Sequence, residues 1–295
     1  MFNKKTKIIF IVILFSCFLV FLIFYNSRQP QVLSDTASNP QPELKIYFFD
    51  VGQGDSELIR TAKGDDILVD GGPDNSVLEK LGKYLPLTDN DLELVILTHP
   101  HADHVTGLVE VLKRYRVEKV MMTGASHTAG DYIEFLNLIK EKNIPVEIVD
   151  GQKQIALDAS TTIEILWPLE NIEGRRFDNL NNSSIVFRLS YVSSTALFMG
   201  DFEQEEKLAS SSPELVKADL LKVGHHGSSN GNSQEFLAVV QPQYAVIEVG
   251  ADNSYGLPSF RAIYYLEEMG VKIFRTDRNG DIVFESNGVK WQLIK

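Results

Sequence analysis

The chain has 295 residues, 44% of them hydrophobic, enough to bury one large core or two small ones, and a formal net charge of −12. Residues 1–28 hold four basic groups (Lys4, Lys5, Lys7, Arg28) and no acidic one, so the remainder is more acidic still, which argues against tight duplex DNA binding. Cys17 is the one cysteine, which excludes an intrachain disulfide and a thiolate metal cage.

Ile8 to Tyr25 is an apolar run without charge, near the lower limit of ~17–25 residues for a spanning helix. Lys4, Lys5 and Lys7 precede it and only Arg28 follows closely, which places the N-terminus in the cytoplasm. The expected location is the cell membrane, single-pass, with the C-terminal domain extracellular. The run is long for a cleaved signal, and no small-x-small site follows it promptly. Leu14-Phe15-Ser16-Cys17 is only loosely like a bacterial lipobox, because Phe15 is bulky and Phe18 to Phe24 stays apolar. Residues 1–28 thus read as a membrane anchor. Residues 29–42, rich in Pro, Gln, Ser and Asn, read as a flexible tether, and 43–295 as the folded domain.

In that domain, Leu44 to Val51 reads as a strand, and Gly52-Gln53-Gly54-Asp55 as a turn into a second, Ser56 to Arg60. A third strand, Ile67 to Asp70, ends at Gly71-Gly72-Pro73. Asp70 there either orients a ligand imidazole or simply caps the turn. After a helix over Asn75 to Leu85, the β-branched run Leu92 to Leu97 leads into Thr98-His99-Pro100-His101-Ala102-Asp103-His104. Val105 to Tyr115 reads as the next helix. Three imidazoles and a carboxylate thus crowd one strand-to-helix turn, a donor set that suits zinc, manganese or iron. His99 and His101 alternate and can share a cation. Asp103 and His104 diverge, which favours a second cation beside the first.

Lys119 to Thr123, Asp131 to Lys142 and Val146 to Val149 read as strand, helix and strand, with His127 in the loop between the first two. Ile155 to Ala159 and Thr162 to Trp167 read as a hairpin, followed by a polar loop to Ser183 and strands over Ile185 to Ser190 and Thr195 to Met199. Asp201 follows Gly200 at a strand end, ahead of a helix over Glu203 to Ala209. It can bridge two cations or cap that helix. Asp219 to Val223 leads into Gly224-His225-His226-Gly227-Ser228. Spacing does not say which of His225 and His226 is a ligand. Helices over Ser233 to Val240 and Phe260 to Met269 alternate with strands over Tyr244 to Val249, Lys272 to Arg275, Asp281 to Glu285 and Trp291 to Ile294. The alternation implies an α/β domain of two mixed sheets with helices outside, an αββα four-layer sandwich preceded by one transmembrane helix.

His99-x-His101-x-Asp103-His104, with Asp70 before and Asp201 and a histidine after, resembles the metallo-β-lactamase fold superfamily. The segments Asp50 to Asp55, Val69 to Gly72, Asn182 to Ser184, Met199 to Asp201, Leu221 to Ser228 and Asn253-x-Tyr255-Gly256-x-Pro258 resemble more specifically the soluble hydrolase domain of ComEC-type DNA-internalisation competence proteins. The resemblance implies two divalent metal ions, zinc or manganese, held by His99, His101, Asp103, His104, Asp201 and His225 or His226. Asp103 then also carries a catalytic role, and Asp55, Asp70, Asn182, Lys222 and Ser228 lie around the centre or contact substrate. The pattern departs from the family at Leu257, where a histidine usually precedes Pro258, and at Asn181 to Ser183, where a further histidine is often found. A chain with one span is not itself a DNA importer.

The expected function is a membrane-anchored, metal-dependent hydrolase of phosphodiesters outside the cell, on a small-molecule or oligonucleotide substrate. Two alternatives stay open: hydrolysis of a carboxylic ester, lactone or β-lactam, and a degenerate, non-catalytic surface binding protein.

Overall fold

A computed structural model describes residues 43–295. The anchor and tether expected over 1–28 and 29–42 lie outside the described residues. Among the described residues, no helix is long and apolar enough to cross a membrane.

The first half runs β1 (Leu44–Phe48), β2 (Glu57–Arg60), β3 (Asp66–Val69), α1 (Ser76–Tyr84), β4 (Asp91–Leu92), β5 (Leu94–Leu97), α2 (Ala102–Arg114), β6 (Arg116–Val117), β7 (Val120–Met122), α3 (Gly130–Lys142) and β8 (Val146–Ile148). The second half runs β9 (Lys153–Ala156), β10 (Thr161–Trp167), β11 (Val186–Tyr191), β12 (Ser194–Phe198), α4 (Glu205–Ser211), β13 (Leu220–Lys222), α5 (Gln234–Val240), β14 (Tyr244–Ile247), α6 (Phe260–Glu268), β15 (Lys272–Arg275), α7 (Thr276–Asn279), β16 (Ile282–Ser286) and β17 (Trp291–Leu293). Short 3-10 turns fall at Leu180–Ser183 and Gly224–Gly227.

The strands form an eight-stranded sheet, β17-β16-β1-β2-β3-β5-β7-β8, and a seven-stranded sheet, β15-β14-β13-β12-β11-β10-β9. A small third pair, β4 with β6, was not legible in the sequence because each strand has two residues. Successive side chains of a strand face opposite ways, and both faces of these strands are buried. In β1, Leu44, Ile46 and Phe48 enter the core between the two sheets, where they meet Ile163, Phe187 and Phe198. Tyr47 and Phe49 turn the other way, into a second core with Leu81, Val105, Leu108 and Leu112 of α1 and α2. A third core joins Leu197, Leu221 and Ile247 to Phe236, Leu237 and Leu266 of α5 and α6. Three apolar seams make four layers, as the alternation of strands and helices implied.

Each sheet has a parallel run, β3-β5-β7-β8 in one and β12-β13-β14-β15 in the other. Polar residues gather beyond the carboxyl ends of parallel strands, where the chain leaves the sheet for the next helix. Asp70, His99, Asp201, Gly224 and Glu248 all lie just past such ends. The Ile185 amide donates to the Thr98 carbonyl at 2.9 Å, which ties the two sheets together at that edge.

Candidate metal centre

Helix α2 starts at Ala102, three residues earlier than the apolar pattern indicates, so Asp103 and His104 ride on its first turn. The correction has a simple cause. A helical pattern becomes visible only when its buried face turns apolar, and the first buried positions here are functional ones. His101 is the N-cap residue, with extended φ/ψ.

The β3-to-α1 turn is clamped to this helix. The Gly71 amide donates to the His104 carbonyl at 2.8 Å, and the Gly107 amide to the Gly72 carbonyl at 3.0 Å. Asp70 takes a left-handed backbone (φ 53°) that non-glycine residues rarely adopt. That twist turns its carboxylate inward. It accepts from the Thr98 amide at 2.8 Å, the Thr98 hydroxyl at 2.6 Å and His104 Nδ1 at 2.7 Å. His104 therefore presents Nε2 to the centre, and that buried atom has no hydrogen-bond partner.

Asp201 reaches the same point from the opposite sheet. It is not the cap of α4, whose N-cap residue is Gln204, so the capping alternative falls away. Its buried carboxylate places Oδ2 at 3.4 Å from His104 Nε2, 3.7 Å from His226 Nε2 and 3.8 Å from His99 Nε2. Its other oxygen, Oδ1, is also without a partner.

The two histidines of the Gly224–Gly227 turn separate. His225 and His226 both have left-handed backbones, φ 46° and 49°, and such a double twist throws adjacent side chains apart. His226 is buried, with Nε2 3.3 Å from Asp103 Oδ2, and its Nδ1 donates to the Glu248 carbonyl at 2.9 Å. His225 lies at the rim, with Nδ1 at 2.6 Å from Glu203. His99 Nε2 and His101 Nδ1 face one another at 2.9 Å.

Donor atoms of Asp103, His104, Asp201 and His226 lie within 4.8 Å of one another, as do those of His99, His101 and Asp201. A tetrahedron of ~2.1 Å metal–ligand bonds has edges of roughly 3.4 Å, close to the 3.3, 3.4 and 3.7 Å spacings in the first group. The nitrogen and oxygen donors, the spacing and the two unpartnered buried atoms fit divalent cations.

The charges agree with this. Burial and the neighbouring His104 depress His99 well below its usual range, which favours the neutral imidazole. Burial would lower His226 too, but the Asp201 and Asp55 carboxylates outweigh it and raise the imidazole to about 10. Burial pushes the Asp103 carboxyl up, but His104 and His226 overcome that and hold it at about 2. An acid-rich pocket of this kind recruits positive charge from whatever source is at hand.

Of the residues expected either around the centre or in contact with substrate, Lys222, Asn182 and Ser228 are held as follows. Lys222 is buried below the cluster and paired with Asp55, so it neutralises the pocket from beneath and does not reach its open side. Asn182 faces away, its side chain accepting from the Glu203 amide and its carbonyl from the Trp167 indole. Asn181 is the neighbour that points at His225, 3.3 Å from its Nδ1. The Ser228 hydroxyl accepts from the Asn230 amide within its own turn. Leu257 packs against the third apolar core.

Two acids escaped the sequence reading. Glu248 stands one residue beyond β14, at a strand end like Asp70 and Asp201, and that position was the available signal. Glu57 lies inside β2, where nothing in the sequence marks it. Their carboxylates lie within 4.8 Å of each other and of Asp55; burial, then the Asp55 charge, raises Glu57 to about 8.

Among known proteins, residues 49–250 match the model of the metallo-beta-lactamase superfamily. The chain is 26% identical over 261 residues to ComE operon protein 3 of Bacillus subtilis, covering 82% of this chain and 33% of that protein. It is 28% identical over 266 residues to competence protein ComA of Neisseria gonorrhoeae, covering 87% of this chain and 34% of that one. This chain therefore spans about a third of the length of these curated relatives. In fold it is similar to the metallo-beta-lactamase fold protein YhfI of Bacillus subtilis, with a TM-score of 0.54 at 15% identity over 82% of this chain and 100% of that one. Two sheets sealed between helices, a donor cluster at their shared edge and a family match across most of the folded residues lead to one conclusion: the chain belongs to the metallo-β-lactamase superfamily.

Proposed function

We propose that this chain is a metal-dependent phosphodiesterase with a two-cation centre, attached to the outer face of a membrane by residues 8–25. The supporting observation is the Asp201 carboxylate, which belongs to both donor groups, with Oδ2 3.8 Å from His99, 3.4 Å from His104 and 3.7 Å from His226. In this reading His99, His101 and Asp201 hold one cation, and Asp103, His104, His226 and Asp201 hold the other. Bound cations would supply a hydroxide at neutral pH and polarise a phosphoryl oxygen.

The chain's own groups do the rest. Asp103 keeps an open side, its side chain 33% exposed while His104, Asp201 and His226 around it are buried, so it can accept a hydrogen bond from the attacking water. Asp70 fixes the His104 tautomer, and the Glu248 carbonyl does the same for His226. His225, on the rim beside the buried Asn181 amide, can donate to a phosphoryl oxygen as it gains charge. The phosphodiester assignment draws on the similarity to competence proteins and on the acidic surface, which leaves short oligonucleotides and nucleotides as fitting substrates.

The test is a purified protein loaded with zinc or manganese and offered bis-p-nitrophenyl phosphate, labelled single-stranded DNA and nitrocefin. The expected result is turnover of the first two, with about a hundredfold loss or more in an Asp103→Ala variant. Turnover of nitrocefin alone would replace the phosphodiesterase reading with an acyl-transfer one. Silence on all three in a metal-loaded protein would leave a binding role.

A further inference from the structure

Beside His101 a cleft of ≈ 560 Å³ opens between two loops. One loop, following β7, carries His127; the other, between β10 and the 3-10 turn at Leu180, carries Arg176 and Asp178. Two backbone hydrogen bonds join them into one wall: the Ser126 amide to the Arg175 carbonyl and the Gly174 amide to the Gly124 carbonyl, both 2.8 Å. His101 belongs to the cleft and to the donor cluster alike.

Two hydrogen-bond donors face the cleft from this wall, the His127 imidazole and the Arg176 guanidinium. The His127 ring lies 6.1 Å from that of His101, and among the described residues it forms no hydrogen bond. Arg176 is exposed and forms no ion pair among the described residues, although the adjacent Arg175 is held by Glu170 at 2.6 Å. Arg176 thus presents a guanidinium free of any carboxylate among the described residues, on a concave wall that includes His101 of the donor cluster. Its planar fork matches the oxygens of a phosphoryl group.

We propose that this cleft is an anion subsite, in which Arg176 and His127 bind a phosphoryl group adjacent to the one that reacts. The preferred substrate then carries a terminal phosphate beside its scissile diester. The reacting phosphoryl group beside it follows from the hydrolase function proposed above; the subsite itself rests on the cleft. Asp178, on the same rim and without an ion pair among the described residues, opposes the anion and provides a control of opposite sign.

The test is binding of thymidine dinucleotides to the full-length protein in the presence of a chelator, followed by kinetics on the metal-loaded protein. A dinucleotide phosphorylated at its 5′ or 3′ end is expected to bind about tenfold tighter than the unphosphorylated one. Arg176→Ala should remove that preference and Asp178→Asn should enlarge it, with turnover of bis-p-nitrophenyl phosphate unchanged in both. Equal binding of the dinucleotides by the natural protein overturns the subsite, as does a preference that Arg176→Ala leaves intact. So does inorganic phosphate binding as tightly as the phosphorylated dinucleotide, since the anion would then be free phosphate. A preserved preference without turnover of any diester would sink the hydrolase reading and leave the subsite standing.

Discussion

Two glycine-to-alanine substitutions, both inside helices, separate intrinsic helix preference from packing against the metal-centre turn. Alanine is favoured over glycine in a helix by about 1 kcal/mol, through the entropy it removes from the unfolded chain. Gly82 lies in α1 with nothing within 4 Å of the position a Cβ would take, so Gly82→Ala should stabilise the protein by up to about 1 kcal/mol. Gly107 lies in α2 with the same intrinsic gain and the opposite surroundings. A methyl there would stand 2.7 Å from the Asp74 carbonyl oxygen, 2.8 Å from the Gly71 carbonyl carbon and nearer still to the Gly71 oxygen. These are backbone atoms, which cannot rotate aside as a side chain would. The helix and the turn must part by something approaching ~1 Å, and overpacking of this kind costs about 1–3 kcal/mol or more. Packing outweighs preference, so Gly107→Ala should come out roughly 1–2 kcal/mol less stable than the natural protein. The same separation would carry Asp103 and His104 away from Asp201, so metal uptake should fall with stability. Guanidinium denaturation of both variants, with zinc titration, measures the pair. Equal or greater stability of Gly107→Ala would refute the claim that α2 is seated on the 70–74 turn through the missing side chain.

Asp70→Asn keeps a residue tolerant of the left-handed backbone but removes the charge facing His104 Nδ1. Zinc affinity, measured by chelator competition, should fall about 10–100-fold with little change in fold by circular dichroism. A second prediction concerns acid stability. Burial alone would raise the Asp281 carboxyl, but Lys80, Lys83 and Tyr84, at 2.7, 2.6 and 2.9 Å, outweigh it and depress the group well below its unfolded range. The folded state thus binds this proton less readily than the unfolded one, whose carboxyl titrates near ~3.9. The contribution is fully present above that pH and fades as pH falls towards the folded value. Asp281→Asn should therefore be less stable than the natural protein at pH 6, and the gap should narrow by pH 3 in chemical denaturation. A gap that widens on acidification would contradict the pairing.

The sequence by itself determined the alternation of strands and helices and the main cluster of candidate donors, His99 to His104. Period-two apolar alternation in strands such as Leu44–Phe48 and the helical spacing of Leu108, Val111 and Leu112 are local signals, set by burial of one face or two. The crowding of His99, His101, Asp103 and His104 is likewise visible within six residues. Tertiary structure alone decided which way the other groups face. His225 and His226 are adjacent in the chain, yet a left-handed twist at each sends one to the rim and the other into the cluster. Lys222, Asn182 and Ser228 lie in the right segments but point away from the open side, because strand alternation and turn hydrogen bonds fix their direction. Glu57 and Glu248 meet beneath His226 only because β2 and β14, in different sheets, are packed face to face. Local sequence encodes the period and the donors, whereas the convergence of strand ends more than a hundred residues apart follows from how the two sheets stack.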